Sequence, residues 1–208
     1  MTDIFISYSR NDKDFVRRLN KALETRGHDV WVDLEDIPPT AEWMNEIRSD
    51  IEGADAFVFV ISPDSITSKV CRKELDHAVG HNKRLVPILY REVNADDVPT
   101  PLDSRQWISF RENDNFEKAL GKLTDALNTD VEWLHEHTHL LTRAIEWDKN
   151  KRDNSFVLRG SELRTAEEWQ VKAAEKDPKL TPLHRNYILE SRRNSSRRQR
   201  LALGFVAA

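Results

Sequence analysis

One cysteine in 208 residues leaves no internal disulfide to be made, and a chain without a disulfide framework fits a reducing compartment. Glycine is also scarce, six in all. None is arranged as GxGxxG after a strand, which excludes a Rossmann-type fingerprint, and a P-loop is absent too. No apolar run approaches the ~20 residues needed to span a bilayer. The opening, MTDIFISYSR, runs straight into strand-like sequence instead of a signal peptide. Nor does one sign of charge dominate. Lys and Arg number 32 against 36 Asp and Glu, a net −4, so the balance gives no reason to expect nucleic acid as a partner. What is present is 38% hydrophobic and 33% charged residues, enough for one ordinary core plus an appendage under a highly charged surface.

The first part of the chain alternates. Strand-like runs occupy 3–8, 29–33, 55–62, 84–90 and 107–110. Between them Phe15, Val16, Leu19, Ala22 and Leu23 recur at helical spacing, with Asn11 or Asp12 as the expected cap and Gly27 as the C-terminal glycine. Pro38 and Pro39 make 34–42 a loop. Trp43, Met44, Ile47 and Ile51 predict a short helix, 68–79 another, and 114–128 a closing one with Phe116, Leu120, Leu123 and Leu127 on one side. Strands alternating with helices predict a parallel sheet covered on both faces. The expected fold is α/β, a flavodoxin-like five-stranded parallel sheet over 1–128, followed by an α-helical C-terminal extension over 129–208. In such sheets ligands sit outside the carboxyl ends of the strands, here Tyr8-Ser9, Asp33, Ser62 and Tyr90. Those ends lack the acidic pair and the aspartate of a phospho-accepting receiver domain.

In the extension, Val131, Trp133, Leu134, Leu141 and Ile145 are candidate packing residues. Thr165 with Glu168 reads as a capping box opening a helix that stops at Pro178. Thr181 and Pro182 read as the cap and first residue of the next. No internal repeat is found.

The stretch SKVCRKELDHAV, 68–79, carries the chemical interest. At about 100° per residue, Val70, Cys71, Leu75, Ala78 and Val79 share one arc, and Lys69, Arg72, Lys73, Asp76 and His77 the other. Glu74 falls inside the apolar arc. Glutamate is rarely buried without a partner, so either Glu74 bends to the rim and pairs with a lysine or arginine, or it serves a cleft. Cys71 reads as a small buried thiol.

These residues resemble a known family. DIFISYSRND is similar to the first box of TIR domains, VWVDLEDIPP to their second strand and long loop, and FVFVISPDS followed by SKVCRKEL to their third strand and Ser-x-x-Cys-x-x-Glu helix. Some members are interaction modules without chemistry. Others cleave NAD+ at the nicotinamide–ribose bond, with the glutamate of this helix essential, which maps onto Glu74. The resemblance therefore implies NAD+ as substrate, no cofactor, and self-association with other TIR domains as the route to activity. It also implies a bacterial role in defence or signalling. It places Tyr8, Ser9 and Arg10 beside the dinucleotide, Asp33 and Ser62 at neighbouring strand ends, and Trp43 as a stacking aromatic. Each also has a plain reading, a surface arginine for Arg10 and a core tryptophan for Trp43. Several catalytic relatives carry a tryptophan four residues before the glutamate. Val70 stands there instead, which puts cyclisation of the ADP-ribose product in doubt, leaves simple hydrolysis open, and does not decide between a linear and a cyclic product. The rival reading is a TIR scaffold that binds other TIR domains, in which the 34–42 loop matters and Glu74 does not.

Two further motifs complete the survey. His135 and His139 in HEHTH stand i, i+4 on a helix, a spacing that suits zinc. No third ligand is apparent, and no metal site is expected. Arg192, Arg193, Arg197, Arg198 and Arg200 precede the apolar LALGFVAA, the order found at the cytoplasmic flank of a membrane helix. The expectation is a cytoplasmic protein, with tethering to the inner membrane face by sequence beyond Arg200 as an option. A membrane-tethered adaptor is accordingly a third reading.

Overall fold

The computed structural model describes residues 2–32 and 41–206. The chain divides into two compact units, Met1–His135 and Glu136–Ala208. In the first, β1 (Asp3–Ser7), β2 (Asp29–Trp31), β3 (Ala56–Ile61), β4 (Arg84–Leu89) and β5 (Ile108–Ser109) form one sheet in the order β2-β1-β3-β4-β5. Every pairing is parallel. Helices α1 (Lys13–Thr25), α2 (Ala41–Gly53), α3 (Pro63–Thr67), α4 (Lys69–Gly80), α5 (Thr100–Asp103) and α6 (Phe116–Leu127) connect and cover it. This is the doubly wound α/β architecture that the sequence predicts, with strand ends drawn in by a residue or two.

The period-2 alternation of a strand explains the two cores. Ile4 and Ile6 of β1 face one side, with Val16, Leu19 and Leu23 of α1 and Leu120, Leu123 and Leu127 of α6. Phe5 faces the other, with Trp43, Ile47 and Ile51 of α2 and Cys71, Leu75 and Ala78 of α4. β3, AFVFVI, is buried throughout, as a strand covered on both faces must be. Gly27, φ +84°, takes the left-handed position after α1 that glycine adopts without a Cβ penalty. At the end of α2, a Cβ on Gly53 would stand 2.8 Å from the Trp31 ring, so a larger residue there would have to displace that ring.

The cap of α1 differs from expectation. Asp12 precedes the helix but makes no side-chain cap, because its carboxylate is spent elsewhere. Ser62 Oγ donates to its Oδ2 at 2.5 Å, and Arg91 Nε and Nη2 donate to its Oδ1 at 2.9 and 2.6 Å. Arg91 also pairs with Asp64, which accepts from Asn11 Nδ2 at 2.9 Å. The β1–α1 turn is thereby tied to the carboxyl ends of β3 and β4.

The second unit has its own core. Helix α7 (Val131–Lys149) runs into it, followed by α8 (Gly160–Val171) and α9 (Pro182–Val206). Trp147, buried, packs on Tyr187 at 5.4 Å between ring centroids, and Tyr187 OH donates to the Phe156 carbonyl at 2.7 Å. Thr181 does cap α9. Its Oγ1 accepts from His184 N at 3.1 Å, and His184 Nδ1 accepts from Thr181 N at 3.1 Å. The capping box at Thr165 is not formed. α8 starts at Gly160, because burial of Leu163 draws the preceding turn into the helix and leaves Thr165 in its interior. Helix α8 also ends at Val171, short of Pro178, and a 3-10 turn follows. Among the described residues no helix is long and apolar enough to cross a membrane.

Candidate active site

Ser7, like Phe5, points to the α2–α4 side of the sheet, which makes it a buried polar side chain after the apolar run Ile4–Ile6. Its partner is Glu74. Ser7 Oγ donates to Glu74 Oε2 at 2.6 Å, the short distance of a hydroxyl bonded to a carboxylate. Glu74 is only 7% exposed. The carboxylate therefore stays on the inward arc of α4.

Glu74 lines a cavity of about 310 Å³ at the carboxyl end of β1. Phe5, Ile6, Tyr8, Ser9 and Arg10 of β1 and its following turn contribute one wall, Trp43 of α2 another, and Ser68, Val70 and Glu74 of α4 the third. Each is positioned by its element. Ser9 caps the 3-10 turn Arg10–Asp12 by accepting from Asn11 N, and the Asp12–Arg91 pair holds that turn against the sheet. Ser68 caps α4 by accepting from Cys71 N, which aims the positive end of the helix at the cavity rim, an arrangement suited to anionic groups. Cys71 Sγ donates to the Tyr8 carbonyl at 3.2 Å. Burial first, then the charge of Glu74, pushes its thiol up to about 11, so it is no nucleophile.

Of the residues singled out in the sequence, Glu74, Tyr8, Ser9, Arg10 and Trp43 meet in this cavity. Ser62 does not line it. Its hydroxyl accepts from Ser65 N to cap α3 and donates to Asp12, so it acts in the framework. Asp33 lies outside the described residues, as does most of the 34–42 loop. Ser7 and Ser68 stand outside the site residues that the sequence singles out, whereas Val70, noted there for the tryptophan it replaces, lines the cavity. The one available signal was that Ser7 interrupts an apolar strand at its carboxyl end. His135 Nε2 lies 3.0 Å from Asp55 Oδ2, so the first histidine of HEHTH is engaged by a carboxylate.

The cavity is concave, mostly apolar, and edged by one carboxylate, one guanidinium and one indole. Such a site can hold a molecule with an aromatic face, hydroxyls and negative charge.

A TIR domain family model matches residues 4–124. The chain is 30% identical over 146 residues to a 2' cyclic ADP-D-ribose synthase of Acinetobacter baumannii, covering 69% of this chain and 49% of that protein. It is 30% identical over 131 residues to a stimulator of interferon genes protein of Magallana gigas, covering 58% of this chain and 32% of the relative. It thus spans about half the length of one curated relative and a third of the other. Among solved structures, the TIR domain of the Toll-related receptor TRR-2 of Hydra magnipapillata aligns with a TM-score of 0.50 at 25% identity, over 62% of this chain and 100% of that one. A metazoan TIR-STING receptor from C. gigas, in complex with 2',3'-cGAMP, aligns with a TM-score of 0.51 at 26% identity, over 61% and 39%. The match of the family model to more than half of the chain, on the strand order and motifs described above, makes this protein a member of the TIR domain family.

Proposed function

We propose that this TIR domain cleaves NAD+ at the nicotinamide–ribose bond, giving nicotinamide and ADP-ribose. The observation that carries the reading is the buried Glu74 carboxylate, anchored by Ser7 in the wall of a cavity it shares with Arg10 and Trp43. The chemistry asks for little more. The C1'–N bond breaks with both electrons going to the pyridinium nitrogen, so nicotinamide leaves neutral and no general acid is required. The ribose passes through an oxocarbenium-like state. A carboxylate on the ribose hydroxyls stabilises that charge more than it stabilises the ground state. Water then adds to C1' and loses a proton. Arg10 and the α4 N-terminus suit the pyrophosphate, and Trp43 offers a face to a base. The 30% identity to a 2' cyclic ADP-D-ribose synthase supports the cleavage and not the linear product, since that relative is named for a cyclic one. Val70 in the cavity wall favours the linear product without deciding it.

The test is NAD+ consumption with products separated, on wild-type and Glu74→Gln protein, each free in solution and displayed on a multivalent support. Removing one preorganised electrostatic group costs ~100–1,000-fold in kcat. Nicotinamide release by displayed wild-type protein, lost in the variant, is the expected result. No turnover by the displayed wild type would favour the second reading, a TIR–TIR scaffold, to which the likeness to a Toll-related receptor domain lends support.

A further inference from the structure

We infer that α2 and α4 are bridged by a divalent transition-metal ion, with zinc the best fit, held by Glu52, His77 and His81. This inference does not depend on the proposed activity. Glu52 lies in the last turn of α2, and His77 and His81 stand i, i+4 on α4. One ligand atom from each lies within 4.8 Å of the other two. His77 Nε2 is 3.1 Å and His81 Nε2 3.9 Å from the same carboxylate oxygen, Glu52 Oε1. Tetrahedral zinc with bonds of about 2.0–2.1 Å sets its ligand atoms about 3.3 Å apart, so modest side-chain shifts would complete the set. The two rings lie 4.3 Å apart at 48°, with both Nε2 atoms within 3.9 Å of Glu52 Oε1.

Two supporting contacts prepare the donors. His81 Nδ1 lies 2.9 Å from the His77 carbonyl. A carbonyl can only accept, so Nδ1 carries the proton and Nε2 presents its lone pair. Bonding of the second ring nitrogen to a main-chain carbonyl is how zinc-binding imidazoles are commonly oriented. Lys83 Nζ donates to the main-chain oxygens of Glu52 and Ala54, each at 2.7 Å, and so fixes the turn of α2 that carries the carboxylate. On binding, His77 exchanges its N–H bond to Glu52 for a metal bond, its ring proton moving to Nδ1. Side-chain exposures of 16%, 19% and 23% for Glu52, His77 and His81 leave the site reachable yet walled. Two imidazoles and a carboxylate leave a fourth position for water. The ion would join the two helices that carry Trp43 and Glu74, with His77 one turn beyond Glu74.

The experiment titrates the metal-free 208-residue chain with Co2+ and with Zn2+. It follows ligand-field absorption and the melting temperature, neither of which requires enzymatic activity. Wild-type protein is expected to bind one ion per chain, to show the absorption of tetrahedral cobalt, and to melt higher with zinc. His77→Gln and His81→Gln should each weaken binding by more than ~100-fold, the most that losing a mere supporting contact costs. Both should melt as wild type does in chelator, which separates ligand loss from misfolding. A His135→Gln, His139→Gln double variant should bind as wild type does. Absence of binding by wild type, or binding kept by the His77 and His81 variants and lost in the His135/His139 variant, would overturn the assignment and leave a histidine–carboxylate ion pair only.

Discussion

Glu74 is legible on paper as a misplaced carboxylate, because helical geometry alone assigns it to the inward arc of its helix. Its partner is not legible, since Ser7 stands 67 positions away. If Ser7 holds the carboxylate at the angle that a ribose requires, Ser7→Ala should lower kcat about tenfold, the size of one net hydrogen bond. KM should change little, because the walls formed by Arg10 and Trp43 remain. Steady-state NAD+ kinetics on the displayed variant reads this split, and a change confined to KM would make Ser7 an ordinary binding contact. Cys71 was readable as a buried thiol, and the structure supplies the reason that it is inert. With its pKa pushed to about 11 by burial and by Glu74, native protein near pH 8 should resist iodoacetamide, and unfolding in guanidinium should expose a single reactive thiol, countable by mass spectrometry.

Elements were read well where the pattern is periodic and poorly where two turns compete. Gly27 closes α1 as its position after the last apolar residue implies. Asp12, beside the same helix, has the chemistry of a cap but serves the Ser62–Arg91 network, a choice made by strands far along the chain. Thr165 shows the converse, a local capping signal overridden by the burial of Leu163. His28, between α1 and β2, is buried, and its burial lowers the imidazole pKa. As pH falls below about 6.5 the unfolded chain takes up a proton that the native state does not, so stability falls with acid until the native pKa is passed. The drop in urea midpoint between about pH 7.5 and about pH 5.5 should be smaller in His28→Gln than in wild type. An equal drop in both would assign the acid loss to other groups.

At the scale of the molecule, the first unit carries the complete sheet and the candidate site, and the second builds a separate helical core around Trp147 and Tyr187. The division between the two units falls at His135, within α7. The proposed activity predicts a dependence on assembly. Specific NADase activity should rise when the chain is displayed on a multivalent support and fall on dilution from it, since self-association is the route to activity that the TIR resemblance implies. Activity per molecule unchanged by display would argue for a site complete in one chain.

The sequence by itself determined the class of fold and the face on which most core residues sit, though Val79, on the apolar arc of α4 by spacing, is exposed. Periods of 2 and 3.6 are local properties, and an apolar strand such as AFVFVI has only one environment that suits it. It also determined that a carboxylate stands among apolar neighbours on α4. Tertiary structure decided everything that joins one element to another. Ser7 meets Glu74, Asp12 takes Arg91 instead of capping α1, and Glu52 converges on His77 and His81. Those meetings follow from the strand order and from which face each helix covers, and neither is written in the spacing of residues within a segment.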